Sequence, residues 1–137
     1  MSKQKKFAWF NWIAGFAIGL MPLLAHVLLY VAAKPASGWS DNWAPDLLFI
    51  TISNSGLAAL SVFVKMAAGN LDMSKFSPVL IIVWVLLLLS FAAAALLYGV
   101  DVTGQGNAST WVVAVCLIVL SGICSLNFEL AAADLEK

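Results

Sequence analysis

The chain alternates between long apolar segments and short polar ones, and the pattern occurs four times. The apolar segments cover about residues 12–33, 47–68, 79–100 and 111–131. Each has about 21 or 22 residues, and a helix needs about 20 to cross the hydrocarbon core of a bilayer at 1.5 Å per residue. The pattern therefore predicts an all-α integral membrane protein, in which residues 1–137 form a single four-helix transmembrane bundle.

Composition supports this class. Hydrophobic residues make up 63% of the chain and charged residues 10%, with a mean hydropathy of +0.98, far from the soluble average. Two short tails and three short connections remain, which is too little sequence for a separate soluble domain. The first apolar segment exceeds the 7–15 apolar residues typical of a secretory signal, so we expect it to stay as a transmembrane helix.

The lysines predict an orientation. The chain has no arginine, and of its seven lysines only Lys34 falls on one side of the predicted bundle. The other six fall on the opposite side, at Lys3, Lys5, Lys6, Lys65, Lys75 and Lys137. Because positive residues stay on the cytoplasmic side, we expect both termini to be cytoplasmic (N-in/C-in) in a bacterial inner membrane.

The second apolar segment carries a polar stripe, which we call the seam. Its members recur at helical spacings of three and four residues, at Thr51, Asn54, Ala58, Ser61 and Lys65. Lipid offers no hydrogen-bond partner to an amide, a hydroxyl or an ammonium. We therefore expect the seam to face inward, either as a contact with other helices or as the lining of a pore.

The first segment has an inward face of its own, which contains a GxxxG pair. It comprises Asn11, Gly15, Gly19, Pro22 and His26. Gly15 and Gly19 allow a second helix to approach closely. That helix could belong to the same subunit or to a second copy, and we expect the pair to contribute to oligomer packing.

His26 is the only histidine. Two interpretations are open: a neutral side chain bonded to a helix partner such as Asn54, or a proton relay. One histidine without a carboxylate in mid-membrane cannot complete a zinc or iron site, so we expect no metal. The chain also lacks a phosphate-binding loop and a nucleophile motif. We expect no enzymatic activity, no cofactor and no nucleic-acid partner.

The fourth segment supplies three polar residues at spacings of four, Ser121, Ser125 and Glu129. Lys65 and Glu129 lie equally far into segments that run in the same direction, so they reach the same depth. The sequence predicts an ion pair between them near the cytoplasmic side. The alternative is that Lys65 extends to the headgroups and Glu129 lies in water.

Two function classes fit these features. In the first, the protein assembles into a homo-oligomer and acts as a pore, a gate or a membrane-state sensor that works with a cytoplasmic protein partner. In the second, it is an accessory or structural subunit of a larger membrane complex or transporter. Both place the chain in the lipid bilayer as a multi-pass protein.

The size, the four-helix layout and the sequence PDLLFI at residues 45–50, ahead of the seam, resemble one family. The chain is similar to small four-helix membrane components of bacterial anti-phage systems, such as the membrane component of Kiwa. The resemblance implies that the protein senses or perturbs the membrane together with a cytoplasmic partner. It assigns no individual site residue.

Overall fold

The computed structural model describes residues 2–33, 43–104 and 109–136, and these form four long α-helices and one short 3-10 helix. The elements are α1 (Lys3–Ala33), α2 (Ala44–Ala67), the 3-10 turn (Met73–Lys75), α3 (Pro78–Val102) and α4 (Thr110–Leu135). Each α-helix is long and apolar enough to span a membrane, so the predicted all-α class is confirmed. Lys34 and Lys137, used above to predict orientation, lie outside the described residues.

Local sequence explains several helix ends. Ser77 caps α3, because its hydroxyl accepts a hydrogen bond from the Leu80 amide at 3.2 Å, and Pro78 occupies the first helical position. α2 is followed by Gly69 at φ 72°, a left-handed conformation that glycine adopts without strain. These devices place the boundaries of α2 and α3 within about three residues of the predicted ones.

The outer bounds of the bundle differ more from the prediction. α1 begins at Lys3 rather than at residue 12, and α4 continues to Leu135 rather than ending at 131. Each extension contains charged residues, three lysines before residue 12 and Asp134 after residue 131, so hydropathy alone did not include them. They support each other, because Lys5 Nζ lies 2.9 Å from Asp134 Oδ1 and joins the first turns of α1 to the last turn of α4.

Side-chain contacts show that α1 runs antiparallel to α4 and that α2 runs antiparallel to α3. The Lys5–Asp134 pair joins the start of α1 to the end of α4. Phe63, near the end of α2, packs on Trp84, near the start of α3, with ring centroids 5.2 Å apart. The start of α1 and the end of α4 therefore lie at one end of the bundle, which we call the terminal face and which carries Lys5, Lys65 and Asp134.

The helix α2 is the centre of the bundle, since it packs against α1, α3 and α4. α4 also contacts α1 and α3, so that α1 and α3 lie on either side of the α2–α4 pair. α3 buries only one narrow stripe, one residue in seven, at Leu80, Leu87, Ala94 and Asp101. Most of its remaining apolar side chains are exposed, as expected of a helix that faces lipid.

The apolar core has two parts. The larger lies toward the terminal face and includes Val62, Leu87 and Phe128. The smaller, at the opposite end, is built on Leu48, Ala94 and Ala114. Along α2 and α4, Asn54 and Ser121 lie between these two clusters, whereas Ser61, Lys65 and Glu129 lie at the level of the larger one.

Candidate functional site

The seam of α2 meets the polar stripe of α4. Asn54 Nδ2 donates a hydrogen bond of 2.8 Å to Ser125 Oγ, and Ser125 Oγ donates in turn to the Gly122 carbonyl at 3.1 Å. Asn54 and Ser125 are 2% and 1% exposed. The contact joins two antiparallel neighbours of α1 across 71 residues of sequence. The seam is therefore a helix–helix contact at this level.

Glu129 collects hydrogen bonds from two other helices. Ser61 Oγ of α2 donates to Glu129 Oε1 at 2.8 Å, and Asn11 Nδ2 of α1 donates to the same oxygen. The Glu129 side chain is 1% exposed. A buried carboxylate is costly unless such donors surround it, so Asn11 and Ser61 stabilise Glu129 in its position.

Lys65 lies between two carboxylates of the C-terminal helix region. Its Nζ is 3.7 Å from Glu129 Oε2 and forms a second ion pair with Glu136 Oε1. The ring of Phe7 also lies below the ammonium, with its centroid 5.9 Å from Nζ. The predicted Lys65–Glu129 pair is present, and Glu129 does not lie in water. One cation thus serves two acidic groups.

We call the charged residues at this end the terminal network. It consists of Lys5, Lys65, Glu129, Asp134 and Glu136. The network links the start of α1, the end of α2 and the end of α4. Sequence reasoning missed Glu136, which follows the last residue of α4 in an extended backbone conformation.

The space enclosed by the polar contacts is dry. A gap between α1, α2 and α4 is lined by Asn11, Trp12, Asn54, Ala58, Ser125 and Glu129, and these side chains leave no room for a water molecule. Trp12 Nε1 closes one side by donating to the Gly122 carbonyl at 2.9 Å. Within one subunit these described residues line no aqueous path.

Three of the predicted site residues do not join the cluster: Thr51, Ser121 and His26, whose partner is described below. Thr51 is fully buried, and its Oγ1 has no hydrogen-bond partner in the described part of the chain. Ser121 Oγ donates to the Ile118 carbonyl of its own helix at 3.3 Å. Thr51 and Ser121 contribute small buried volume rather than a link between helices.

The GxxxG pair of α1 packs inside the subunit. A Cβ added at Gly19 would lie 2.6 Å from Ile50 Cα, and one at Gly15 would lie 3.0 Å from Asn54 Oδ1. Ser53 Oγ donates to the Gly15 carbonyl at 2.9 Å across the same contact. The expectation that Gly15 and Gly19 contribute to oligomer packing is therefore corrected, because α2 of the same chain already covers them.

The partner of His26 is also corrected. His26 Nδ1 lies 2.6 Å from Asp46 Oδ2, and its ring stacks on Trp43 with centroids 4.2 Å apart. Asn54 is two turns further along α2. The antiparallel register that sets Gly19 against Ile50 brings the His26 level of α1 to the start of α2 instead.

Potential metal ligands do not converge on one point in the described part of the chain. Among the described residues no group of three or more could hold a metal ion. Chemically, the cluster can hold charge in a dry site and join helix ends.

Comparison with known proteins found no family model, no curated protein and no solved structure that matches this chain.

Proposed function

We propose that this protein is a non-enzymatic multi-pass membrane protein that senses the state of the bilayer and transmits it to a cytoplasmic partner through the terminal face. The terminal network carries the proposal. Its ion pairs hold three helix ends together close to where the apolar spans end, and their strength depends on the local dielectric. Unit charges 4 Å apart attract by about 4 kcal/mol at an effective dielectric of 20 and by about 1 kcal/mol in water.

Bilayer thickness is a stimulus that suits this geometry. α1 has 31 residues, about 46 Å at 1.5 Å per residue, against a hydrocarbon core of about 30 Å. A helix that exceeds the bilayer tilts, kinks or protrudes, and its adjustment follows the thickness. Thinning brings the level of Lys65 and Glu129 into the headgroup region, where water weakens the pairs and loosens the end of α4.

The orientation belongs to the same proposal. Five described lysines lie in the N-terminal turns of α1, at the end of α2 and in the 3-10 turn, all on the side of the terminal face. The positive-inside rule then favours a cytoplasmic terminal face in a bacterial inner membrane. A role in anti-phage defence stays a prediction that depends on the sequence resemblance. A reporter that is active only in the cytoplasm should therefore be active when it is fused to the C-terminus.

The closed contact between α1, α2 and α4 supports a sensor rather than a pore, because the polar groups that would line a pore are bonded to one another. Self-assembly stays a prediction. The glycine pair no longer supports it, because α2 of the same chain covers Gly15 and Gly19. Single-channel current steps from the purified protein in a planar bilayer would favour the pore. A native mass that is a discrete multiple of the 14.6 kDa chain would support a homo-oligomer.

A second candidate function is that of an accessory subunit. An apolar groove of about 470 Å³ follows α2 between α1 and α3, with Gly56 in its floor and Ile18 and Phe91 on its two sides. Small residues in the floor of such a groove let a transmembrane helix of a larger protein approach closely. Co-purification that is lost on Gly56→Leu, while Gly99→Leu has no effect, would favour this function.

Hydrogen exchange in bilayers of two thicknesses tests the sensor. We expect the backbone amides of residues 130–136 to exchange faster in short-chain than in long-chain phosphatidylcholine nanodiscs. Lys65→Met should exchange fast in both, because the network is already broken. Lys75→Met, which removes a lysine outside the network, should keep the wild-type response. Exchange that is independent of thickness in the wild-type protein contradicts the proposal.

A further inference from the structure

A second groove opens at the terminal face, between α3 and α4. It encloses about 420 Å³, and its walls are apolar, with Leu80 and Val83 from α3 and Phe128 and Leu135 from α4. Polar residues lie among the others that line it, including Lys75 and Asn127. The groove thus combines an apolar interior, at the depth of the acyl chains, with polar groups where the headgroups begin.

Two charged residues line this groove, and only the acidic one has an ion-pair partner in the described ranges. Asp134 also lines it, but its carboxylate is paired with Lys5 at 2.9 Å. No carboxylate in the described ranges lies within ion-pair distance of Lys75, so its ammonium has no ion-pair partner there. Basic pockets between transmembrane helices are suited to anionic lipid headgroups.

Lys75 is held at the groove by the turn that carries it. Asp72 Oδ1 accepts a hydrogen bond of 2.9 Å from the Ser74 amide and caps the 3-10 helix. The next residue, Phe76, is 7% exposed and packs edge-on against Phe128, with centroids 6.3 Å apart. Because both neighbours are fixed, the Lys75 backbone needs no reordering to meet a ligand, which lowers the entropic cost of binding.

We propose that this groove binds one anionic phospholipid, with the phosphate at Lys75 and one acyl chain between α3 and α4. The apolar walls accept the chain of any phospholipid. Selectivity arises at Lys75. A net negative headgroup is attracted by the unpaired ammonium of Lys75, whereas a zwitterionic headgroup carries its own positive charge beside its phosphate and gains less. Asp134 of the terminal network lines the groove, but Lys75 is outside the network, so a test on Lys75 does not depend on the proposed sensing.

Native mass spectrometry with lipid titration tests the site. We expect the wild-type protein to retain one phosphatidylglycerol more tightly than phosphatidylcholine. Lys75→Gln should weaken phosphatidylglycerol binding about fivefold, the effect of one lysine near an anionic headgroup, and leave phosphatidylcholine binding unchanged. Lys6→Gln, an exposed lysine outside the groove, is the matched control and should behave like the wild type.

Filling the groove gives a second test. Ala131→Trp should reduce binding of both lipids, because the larger side chain occupies the space of the acyl chain. Equal affinity of the wild-type protein for the two lipids overturns the proposal, as does an unchanged phosphatidylglycerol affinity in Lys75→Gln. Since Lys75 is exposed, that variant is expected to fold even if Ala131→Trp does not. If an acidic peptide rather than phosphatidylglycerol competes for Lys75, the groove is a protein-docking site and the lipid proposal is wrong.

Discussion

Removing the charge of Glu129 is expected to cost stability chiefly through one partner, Lys65. Their charged atoms lie 3.7 Å apart, which corresponds to a gross attraction of about 4 kcal/mol at an effective dielectric of 20. The cost of desolvation offsets part of this attraction, and Glu136 keeps Lys65 paired after the change. We therefore expect a coupling energy of about 2 kcal/mol between Glu129→Gln and Lys65→Met.

The measurement is a double-mutant cycle on the free energy of unfolding, from SDS titration in mixed micelles followed by circular dichroism. Glu129→Gln combined with Lys75→Met is the control cycle and should be additive, because Lys75 has no ion-pair contact with Glu129. A coupling energy below about 0.5 kcal/mol between Glu129 and Lys65 would refute the assignment of the pair.

Glu136 sharpens the same experiment. Each single change, Glu129→Gln or Glu136→Gln, leaves Lys65 one acidic partner and relieves repulsion between the two carboxylates. The double variant leaves the buried ammonium with neither. Its loss of stability should therefore exceed the sum of the two single losses. A simple sum would mean that the two carboxylates do not share the ammonium.

Two further predictions concern packing. Gly19→Ala should lower the free energy of unfolding by about 1–3 kcal/mol, because the new Cβ would meet the Ile50 backbone at 2.6 Å, without changing the native mass of the protein. Gly99→Ala is the control, because a Cβ there meets nothing within 4 Å, and it should be neutral or stabilising by up to about 1 kcal/mol. Equal losses of stability in the two variants would contradict the α1–α2 contact. Asn54→Leu should cost about 0.5–2 kcal/mol, because Ser125 loses its donor. Asn127→Leu is the control and should cost almost nothing in the same SDS titration, since that exposed amide bonds only to its own helix. Equal costs for the two variants would contradict a stabilising role of the buried Asn54 contact.

The helices and the inward direction of the seam could be predicted from the sequence, because both depend on properties of single segments. Hydropathy finds a span wherever about 20 apolar residues occur together. A stripe that contains Asn54 and Lys65 has to face protein, since lipid cannot satisfy it. The depth argument for Lys65 and Glu129 worked for a similar reason, as two helices that run in the same direction share a common scale.

The pairings that failed depend on register between helices, which segment properties do not specify. The partner of His26 is decided by how far α1 slides along α2, and the Gly19–Ile50 contact fixes that distance only in the folded bundle. The sequence likewise could not show that α2 of the same chain would cover Gly15 and Gly19. Glu136 was missed because it follows the apolar segment, outside the range in which hydropathy reports a helix.

The pairing of α2 with α4 has a consequence for how the chain is made. Ser61 and Glu129 are 68 residues apart, so a ribosome that adds about 5–20 residues per second needs on the order of 3–14 s to supply the second after the first. If α2 enters the membrane during that interval, Asn54 and Lys65 lie there before Ser125 and Glu129 of α4 have been made. The half-made protein must hold the Lys65 ammonium at the headgroups or against an insertion factor. A chain truncated before α4 lacks Ser125, Glu129 and Glu136, so its Asn54 amide and Lys65 ammonium have none of the side-chain partners that they have in the complete bundle.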